Sequence, residues 1–247
     1  WFVDEARERG VDFMHRSGHE DRFLFPELMG GGVALFDKEG DGDLDLFLVQ
    51  SGSLTRPETA DHRLYENDGA GRFQDVTSAS GVTPGGYGMG VAAADYDADG
   101  DVDLYITCVG SNRLLQNDGS GRFVDVTDAA GVGDGSWGTS AAFLDFDGDG
   151  HLDLFIANYV DWSVATEEDC FDPTGQSDYC SPLAYSAPSV DTLYRANGDG
   201  TFEDVTAAMG LGASPGNGLG VVTGDFDGDG LVDVFVANDQ MPDCLWV

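Results

Sequence analysis

An acidic loop that runs straight into an apolar stretch is the unit this chain repeats. The apolar stretches are LDLFLV from Leu44, VDLYIT from Val102, LDLFIA from Leu152 and LVDVFVA from Leu231. Each is apolar on both faces after its aspartate, which predicts a strand covered on two sides. Ahead of each loop lies a run of small residues: GGVALF from Gly31, GVAAAD from Gly90, SAAFLD from Ser140 and GVVTGD from Gly220. Small side chains suit strands that crowd together around an axis. Two further phrases fill the gaps. LYENDGAGRF from Leu64, LLQNDGSGRF from Leu114 and LYRANGDGTF from Leu193 predict a strand and a tight turn, because Asn, Asp and Gly tolerate positive φ. FQDVTSASGV from Phe73, FVDVTDAAGV from Phe123 and FEDVTAAMGL from Phe202 complete the unit, with FVDEARERGV from Phe2 as a looser copy.

The unit therefore predicts four strands, and four-stranded units in series predict an all-β fold, a β-propeller of antiparallel blades. A β-helix needs shorter repeats. EF-hands need flanking helices and a Glu at the twelfth loop position, where the third loop has Ile156 in a strand-like run. Two units are lengthened. From the Phe phrase to the acidic loop takes 35 residues in the first unit against 22 in the second, and the excess includes FMHRSGHEDRFLFPEL. The third unit carries a longer insert with Trp162, Cys170, Cys180 and Tyr185. Long loops on a rigid scaffold are where binding usually resides, so both inserts are candidate partner surfaces.

The loops read Asp-x-Asp/Glu-x-Asp-Gly-x-x-Asp, starting at Asp37, Asp95, Asp145 and Asp225. Two carboxylates a few ångströms apart repel by roughly 1–4 kcal/mol, so four within nine residues call for a cation. Calcium fits, since it takes six to eight oxygen ligands in flexible geometry. Four carboxylates in each of four loops account for sixteen of the 46 acidic residues behind the net charge of −35. That charge makes nucleic acid and anionic membrane poor partners. An apolar content of 41% and acids in register with strands argue against a disordered acidic tail.

Cys170 and Cys180 bracket an insert rich in Asp, Pro, Ser and Gly and predict a disulfide restraining about ten residues. Cys108 and Cys244 lie in different units and read as free thiols. That pairing, with calcium loops, points to a secreted, cell-surface or periplasmic protein, and the opening at Trp1 reads as a mature product or a fragment. His15 and His19, four apart, could share a helical face for a transition metal but read as a surface pair; His62 reads as a solvated turn residue. Trp137, Tyr159 and Trp162 read as core, with a sugar platform the alternative. No nucleophile elbow, phosphate loop or Cys-x-x-Cys pair occurs, and no catalytic residue is assigned.

On the acidic loops, the NDGxGRFxDVT phrase, WGTSAAFLDFDGDGHLDLFIANYVDW from Trp137 and GLGVVTGDFDGDGLVDVFVAND from Gly218, the chain resembles the FG-GAP/VCBS repeat proteins, and more narrowly the cartilage acidic protein relatives that carry an ASPIC/UnbV segment. The resemblance implies about four calcium ions, one per loop, held by side chains at positions 1, 3, 5 and 9 and by the carbonyl at position 7. The first site would use Asp37, Glu39, Asp41 and Asp45 with the Asp43 carbonyl. The second would use Asp95, Asp97, Asp99 and Asp103 with Asp101, the third Asp145, Asp147, Asp149 and Asp153 with His151, and the fourth Asp225, Asp227, Asp229 and Asp233 with Leu231. Asp, His and Leu at position 7 suit a backbone ligand, and Gly at position 6 suits a sharp turn.

The expected layout is one propeller domain or fragment over 1–247, an arc of a larger ring with a closed four-bladed ring as the alternative: a fourth strand of a preceding or closing blade at 1–11, then blades at about 30–80, 88–131, 138–210 (insert about 160–190) and 218–247, the last incomplete. The resemblance implies a non-enzymatic scaffold for an extracellular protein or glycan, with adhesion as its use. The alternative is an accessory or catalytic module of a carbohydrate-active enzyme.

Overall fold

The computed structural model describes residues 1–20 and 22–247. Its strands form three four-stranded antiparallel sheets, one three-stranded sheet and a short ribbon. The first blade is β1 (Val33–Phe36), β2 (Asp45–Leu48), β3 (Arg63–Asn67) and β4 (Phe73–Asp75). The second is β5 (Tyr87–Ala94), β6 (Asp103–Val109), β7 (Arg113–Asn117) and β8 (Phe123–Asp125). The third is β9 (Gly138–Leu144), β10 (Asp153–Asn158), then the insert ribbon β11 (Cys170–Phe171) and β12 (Ser177–Asp178), and finally β13 (Thr192–Ala196) and β14 (Phe202–Asp204). The fourth is β15 (Gly218–Gly224), β16 (Asp233–Asn238) and β17 (Cys244–Trp246). The fold is an all-β propeller arc, with each acidic loop closing the hairpin between the first two strands of a blade.

The blades stack in chain order, and the core lies between neighbours. Phe47, Val49 and Leu64 of the first meet Leu104, Ile106 and Phe123 of the second. Tyr105 and Leu114 of the second meet Leu154, Ile156 and Phe202 of the third. Phe155 and Leu193 of the third meet Val234 and Val236 of the fourth. The second strands of the two middle blades are covered on both sides, as their unbroken apolar pattern requires: every residue of β10 is buried, and all of β6 but its last, whereas β2 and β16 in the outer blades are partly open. The first strands do crowd one another. A Cβ added to Gly90 would lie 2.5 Å from the carbonyl oxygen of Thr139 in the next blade, and the Thr139 hydroxyl donates to the Gly218 carbonyl one blade further on, at 2.7 Å.

The Phe-x-Asp-Val-Thr phrase ends each complete blade by a repeated tie. The N–H of Leu64, Leu114 or Leu193 on the third strand donates to the hydroxyl of Thr77, Thr127 or Thr206, at 2.9–3.0 Å. The Asp two residues earlier accepts the N–H of that Thr, at 2.9–3.1 Å.

The copy of that phrase at Phe2–Asp4 does not form the expected strand. Residues 1–5 belong to no sheet and Trp1 and Phe2 are fully exposed. A fourth strand needs a third strand's backbone beside it, and among the described residues β17 pairs only with β16.

The inserts cover the face opposite the acidic loops. Phe25 stacks with Tyr159 and Tyr185, at ring-centroid distances of 5.7 and 5.1 Å, and meets Trp137 edge-on at 5.5 Å. Trp137, Tyr159 and Trp162 are therefore core residues beneath the inserts and not a surface platform. No helix among the described residues is long and apolar enough to cross a membrane.

Candidate metal centres

The four acidic loops share one backbone plan. The carboxylate at position 1 accepts N–H groups from the turn it begins: Asp37 from Gly40 and Gly42 (both 2.8 Å), Asp95 from Asp99 and Gly100 (both 3.0 Å), Asp145 from Asp149 and Gly150 (3.1 and 3.0 Å), and Asp225 from Gly228 and Gly230 (2.6 and 3.0 Å). Position 6 is Gly42, Gly100, Gly150 or Gly230, with φ between +90° and +100°, and an added Cβ would meet nothing within 4 Å. Glycine is required there by backbone conformation and not by space.

In each loop three carboxylates place an oxygen within 4.8 Å of one another. The triads are Asp37, Glu39 and Asp45; Asp95, Asp97 and Asp99; Asp145, Asp147 and Asp153; and Asp225, Asp227 and Asp229. Positions 1 and 3 thus join every cluster. Of the remaining two carboxylates expected as ligands, Asp41 and Asp149 at position 5, and Asp103 and Asp233 at position 9, stand outside the tight groups. Hydrogen bonding does not separate the members from the non-members. Position 5 accepts the N–H of position 7 in all four loops, at 2.8–3.0 Å.

Position 9 is buried and ties the loop to the blade. Asp45 accepts Lys38 N–H at 3.0 Å and Asn67 N–H at 2.8 Å; Asp103 accepts Tyr96 N–H at 3.3 Å and Asn117 N–H at 2.7 Å; Asp153 accepts Phe146 N–H at 3.0 Å and Ala196 N–H at 2.8 Å. In the fourth blade Asp233 takes the Phe226 N–H at 2.7 Å.

The side chains at position 7 turn away from the clusters. A Cβ added to Gly69, Gly119 or Gly198 in the outer turns would lie 2.5 Å from Asp43 Oδ2, 2.5 Å from Asp101 Oδ2 and 2.7 Å from His151 Nε2 respectively. What this position can offer a cation is its carbonyl.

Burial, with the neighbouring Asp97 and Asp99 charges, pushes the Asp103 carboxyl up to about 7 against the hydrogen bonds from Asn117 and Tyr96. Burial likewise pushes Asp153 up to about 6. The Gly42 N–H, by contrast, holds Asp37 low. Clustered carboxylates that offer only oxygen fit a hard divalent cation.

The remaining candidates resolve differently. Cys170 and Cys180 form the disulfide, while Cys108 and Cys244 are free. His15 and His19 share no helix: His15 Nε2 contacts the Ser51 hydroxyl at 2.8 Å, and His19 Nδ1 contacts Glu27 at 2.6 Å. Among the described residues, neither belongs to a group that could hold a metal. His62 is not solvated. It is buried, with its Nδ1 accepting the Gln50 N–H at 3.0 Å, and burial lowers it to about 4.

His62 fills a role that recurs with other residues. The polar side chain just before the third strand accepts an N–H from the end of the second: Asn112 from Cys108 (2.8 Å), Asp191 from Asn158 (2.9 Å) and Asp243 from Asn238 (2.9 Å). Three residue types (His, Asn and Asp) at one structural position hid this cap from the sequence. The buried Glu167 was also missed. It accepts Phe25 N–H and Trp162 Nε1–H, both at 2.9 Å, and Tyr185 O–H at 2.5 Å, pinning both inserts together.

A family model of the FG-GAP-like repeat matches residues 37–106, 95–156 and 171–236, which include all four acidic loops. The chain belongs to the FG-GAP-like repeat family. Two of the matched FG-GAP segments begin at the first carboxylate of a loop, Asp37 and Asp95. No protein with a curated description matches the chain. Among solved structures, it is similar to a Bacillus licheniformis rhamnogalacturonan lyase at 16% identity and a TM-score of 0.41, over 85% of this chain and 41% of that one. It is also similar to an Agrocybe aegerita lectin, described as recognising non-reducing terminal N-acetylglucosamine, at 16% identity and a TM-score of 0.31, over 87% of this chain and 63% of that one. The FG-GAP chain thus spans less than two thirds of either protein.

Proposed function

We propose that this FG-GAP chain is an extracellular interaction scaffold whose blade loops are held by calcium. The observation that carries the reading is the recurrence of a carboxylate triad, always including positions 1 and 3, at the same hairpin of all four blades. The side chains that would hold the ion are those at positions 1 and 3 of each loop, joined by Asp45 and Asp153 or by Asp99 and Asp229. The ion would supply charge neutralisation and folding free energy, with no chemical step. The reading assigns no catalytic role to any side chain.

Export is supported by the Cys170–Cys180 disulfide, since such bonds persist in oxidising compartments. The partner would be a protein or a glycan met on the insert-bearing face, away from the loops. There Arg7, Arg16, Arg56 and Arg63 line a cleft of about 690 Å³ together with Asp12, Glu20 and Asp61, which pair with Arg7, Arg56 and Arg63. The narrower likeness to the ASPIC/UnbV relatives belongs to the same proposal and would place the scaffold in adhesion.

Two measurements test it. Calorimetric titration of the metal-stripped chain with calcium should show binding to the loops, and no heat at millimolar calcium would remove the metal from the account. A glycan array and a panel of extracellular proteins, probed with calcium present, should then give binding that Arg16→Glu and Arg56→Glu weaken. Binding untouched by those changes would move the contact surface elsewhere.

A further inference from the structure

The first acidic loop departs from the other three at its second residue. Tyr96, Phe146 and Phe226 are aromatic there, whereas the first loop has Lys38. The Lys38 side chain is only 4% exposed. Its ammonium donates to the carboxylates of Glu39 and Glu66, the latter at 2.9 Å. Its stem lies against the outer turn of the next blade, where a Cβ added to Gly121 would stand 2.9 Å from Lys38 Cδ, and its carbonyl accepts the Asn117 side-chain amide at 2.8 Å.

Three exceptions coincide at this corner. Glu39 is the one Glu among four position-3 carboxylates. The equivalent of Glu66 in the second blade is Gln116, a neutral amide that donates to Asp97 at 2.6 Å. In the third blade it is Arg195, which turns away to Glu203 at 2.6 Å. Only the first blade thus adds a cation inside the loop and a further anion to hold it. Glu39 belongs to the metal triad, so the ammonium competes directly for the charge that would attract a divalent ion.

We infer that Lys38 is a resident cation that keeps the first loop formed without metal and makes it the weak calcium site of the four. The inference rests on the calcium reading above. Calcium affinity follows the charge available on the ligand set, and an ammonium bonded to Glu39 takes up part of the charge of one triad member. The first loop should therefore require on the order of tenfold more calcium, or more, than the others.

Hydrogen exchange of the full wild-type chain, titrated from excess EGTA into calcium, reads each loop separately. Residues 95–103, 145–153 and 225–233 should gain protection together. Residues 37–45 should already be protected in EGTA and should change only at about tenfold higher free calcium. Lys38→Met should bring the first loop to the affinity of the others, and Lys38→Arg should leave it weak. Should Lys38→Met fold poorly, the order of protection in the wild type decides by itself. Four loops filling at one calcium concentration, or a first loop as unprotected in EGTA as its neighbours, would overturn the inference and leave the calcium reading standing. No change in any loop at millimolar calcium would overturn both, and that result is distinguished by the absence of any ordered loop response.

Discussion

The Asp153 carboxylate accepts the backbone N–H of Ala196, 43 residues further along the chain, at 2.8 Å. The same side chain takes the Phe146 N–H at 3.0 Å, so one buried carboxylate fixes both the acidic loop and the register of the third strand. It ties the blade whether or not a metal is bound. Asp153→Ala should therefore lower stability by roughly 2–4 kcal/mol even in EGTA, since two buried N–H groups lose a charged acceptor. Asp153→Asn keeps one acceptor oxygen and should lose less in EGTA while gaining little from calcium. Urea unfolding with and without calcium measures both. Equal stability of Asp153→Ala and wild type in EGTA would leave the tie without weight.

Asp147 separates the ligand role from the structural one. It belongs to the triad of its loop but is exposed. Asp147→Ala should be close to neutral in EGTA and clearly destabilising in calcium, whereas Asp128→Ala, outside the loops, should be mild in both. Calcium at a hundredfold excess over its dissociation constant stabilises by about 2.7 kcal/mol per site. The melting temperature should accordingly fall strongly on chelation. An unchanged melt in excess EGTA would count against structural calcium.

The blades were legible because the sequence repeats both the apolar run and the turn chemistry, and each copy corroborates the others. The carboxylates were legible for the same reason. Which of them converge was not, because all four loops share one spacing while the third triad member alternates between position 9 (Asp45, Asp153) and position 5 (Asp99, Asp229), a matter of side-chain placement that spacing does not encode. His62 was misread as solvated because its burial is supplied by the blade beside it. Its Nε2 contacts the Gly85 carbonyl at 3.1 Å, and a Cβ on Gly88 would lie 2.8 Å from its ring. Phe2–Asp4 reads like a strand locally, but a strand is a property of two segments and its partner is not beside it.

The loops also hold a local conflict that can be relieved. Position 4 is Gly40, Gly148 or Gly228 in three loops, each at φ between +72° and +83°, and Ala98 in the second, at φ +59°. A β-carbon in the left-handed region costs about 1–2 kcal/mol, partly offset by the greater freedom of glycine in the unfolded chain. Ala98→Gly should therefore stabilise by roughly 0.5–1 kcal/mol, visible as a shift in urea midpoint at unchanged slope. Destabilisation instead would show that Ala98 relieves more than it strains.

Asp191 gives the fold a pH dependence of its own. It accepts the Asn158 N–H at 2.9 Å and is buried, and that burial pushes its carboxyl up to about 6 from an ordinary 3.8. A raised folded-state value means that the folded chain holds the proton longer than the unfolded one. Stability is then lost as pH rises from about 4 to about 6, and the full penalty applies above that. In the second blade Asn112 does the same work without charge, accepting Cys108 N–H at 2.8 Å. Asp191→Asn should thus be no better than wild type near pH 4 and increasingly more stable up to about pH 6, with a constant advantage beyond. Melting curves of both proteins after metal removal, taken across that window, measure the difference. An advantage that does not vary with pH would mean that Asp191 is already ionised without penalty in the folded chain.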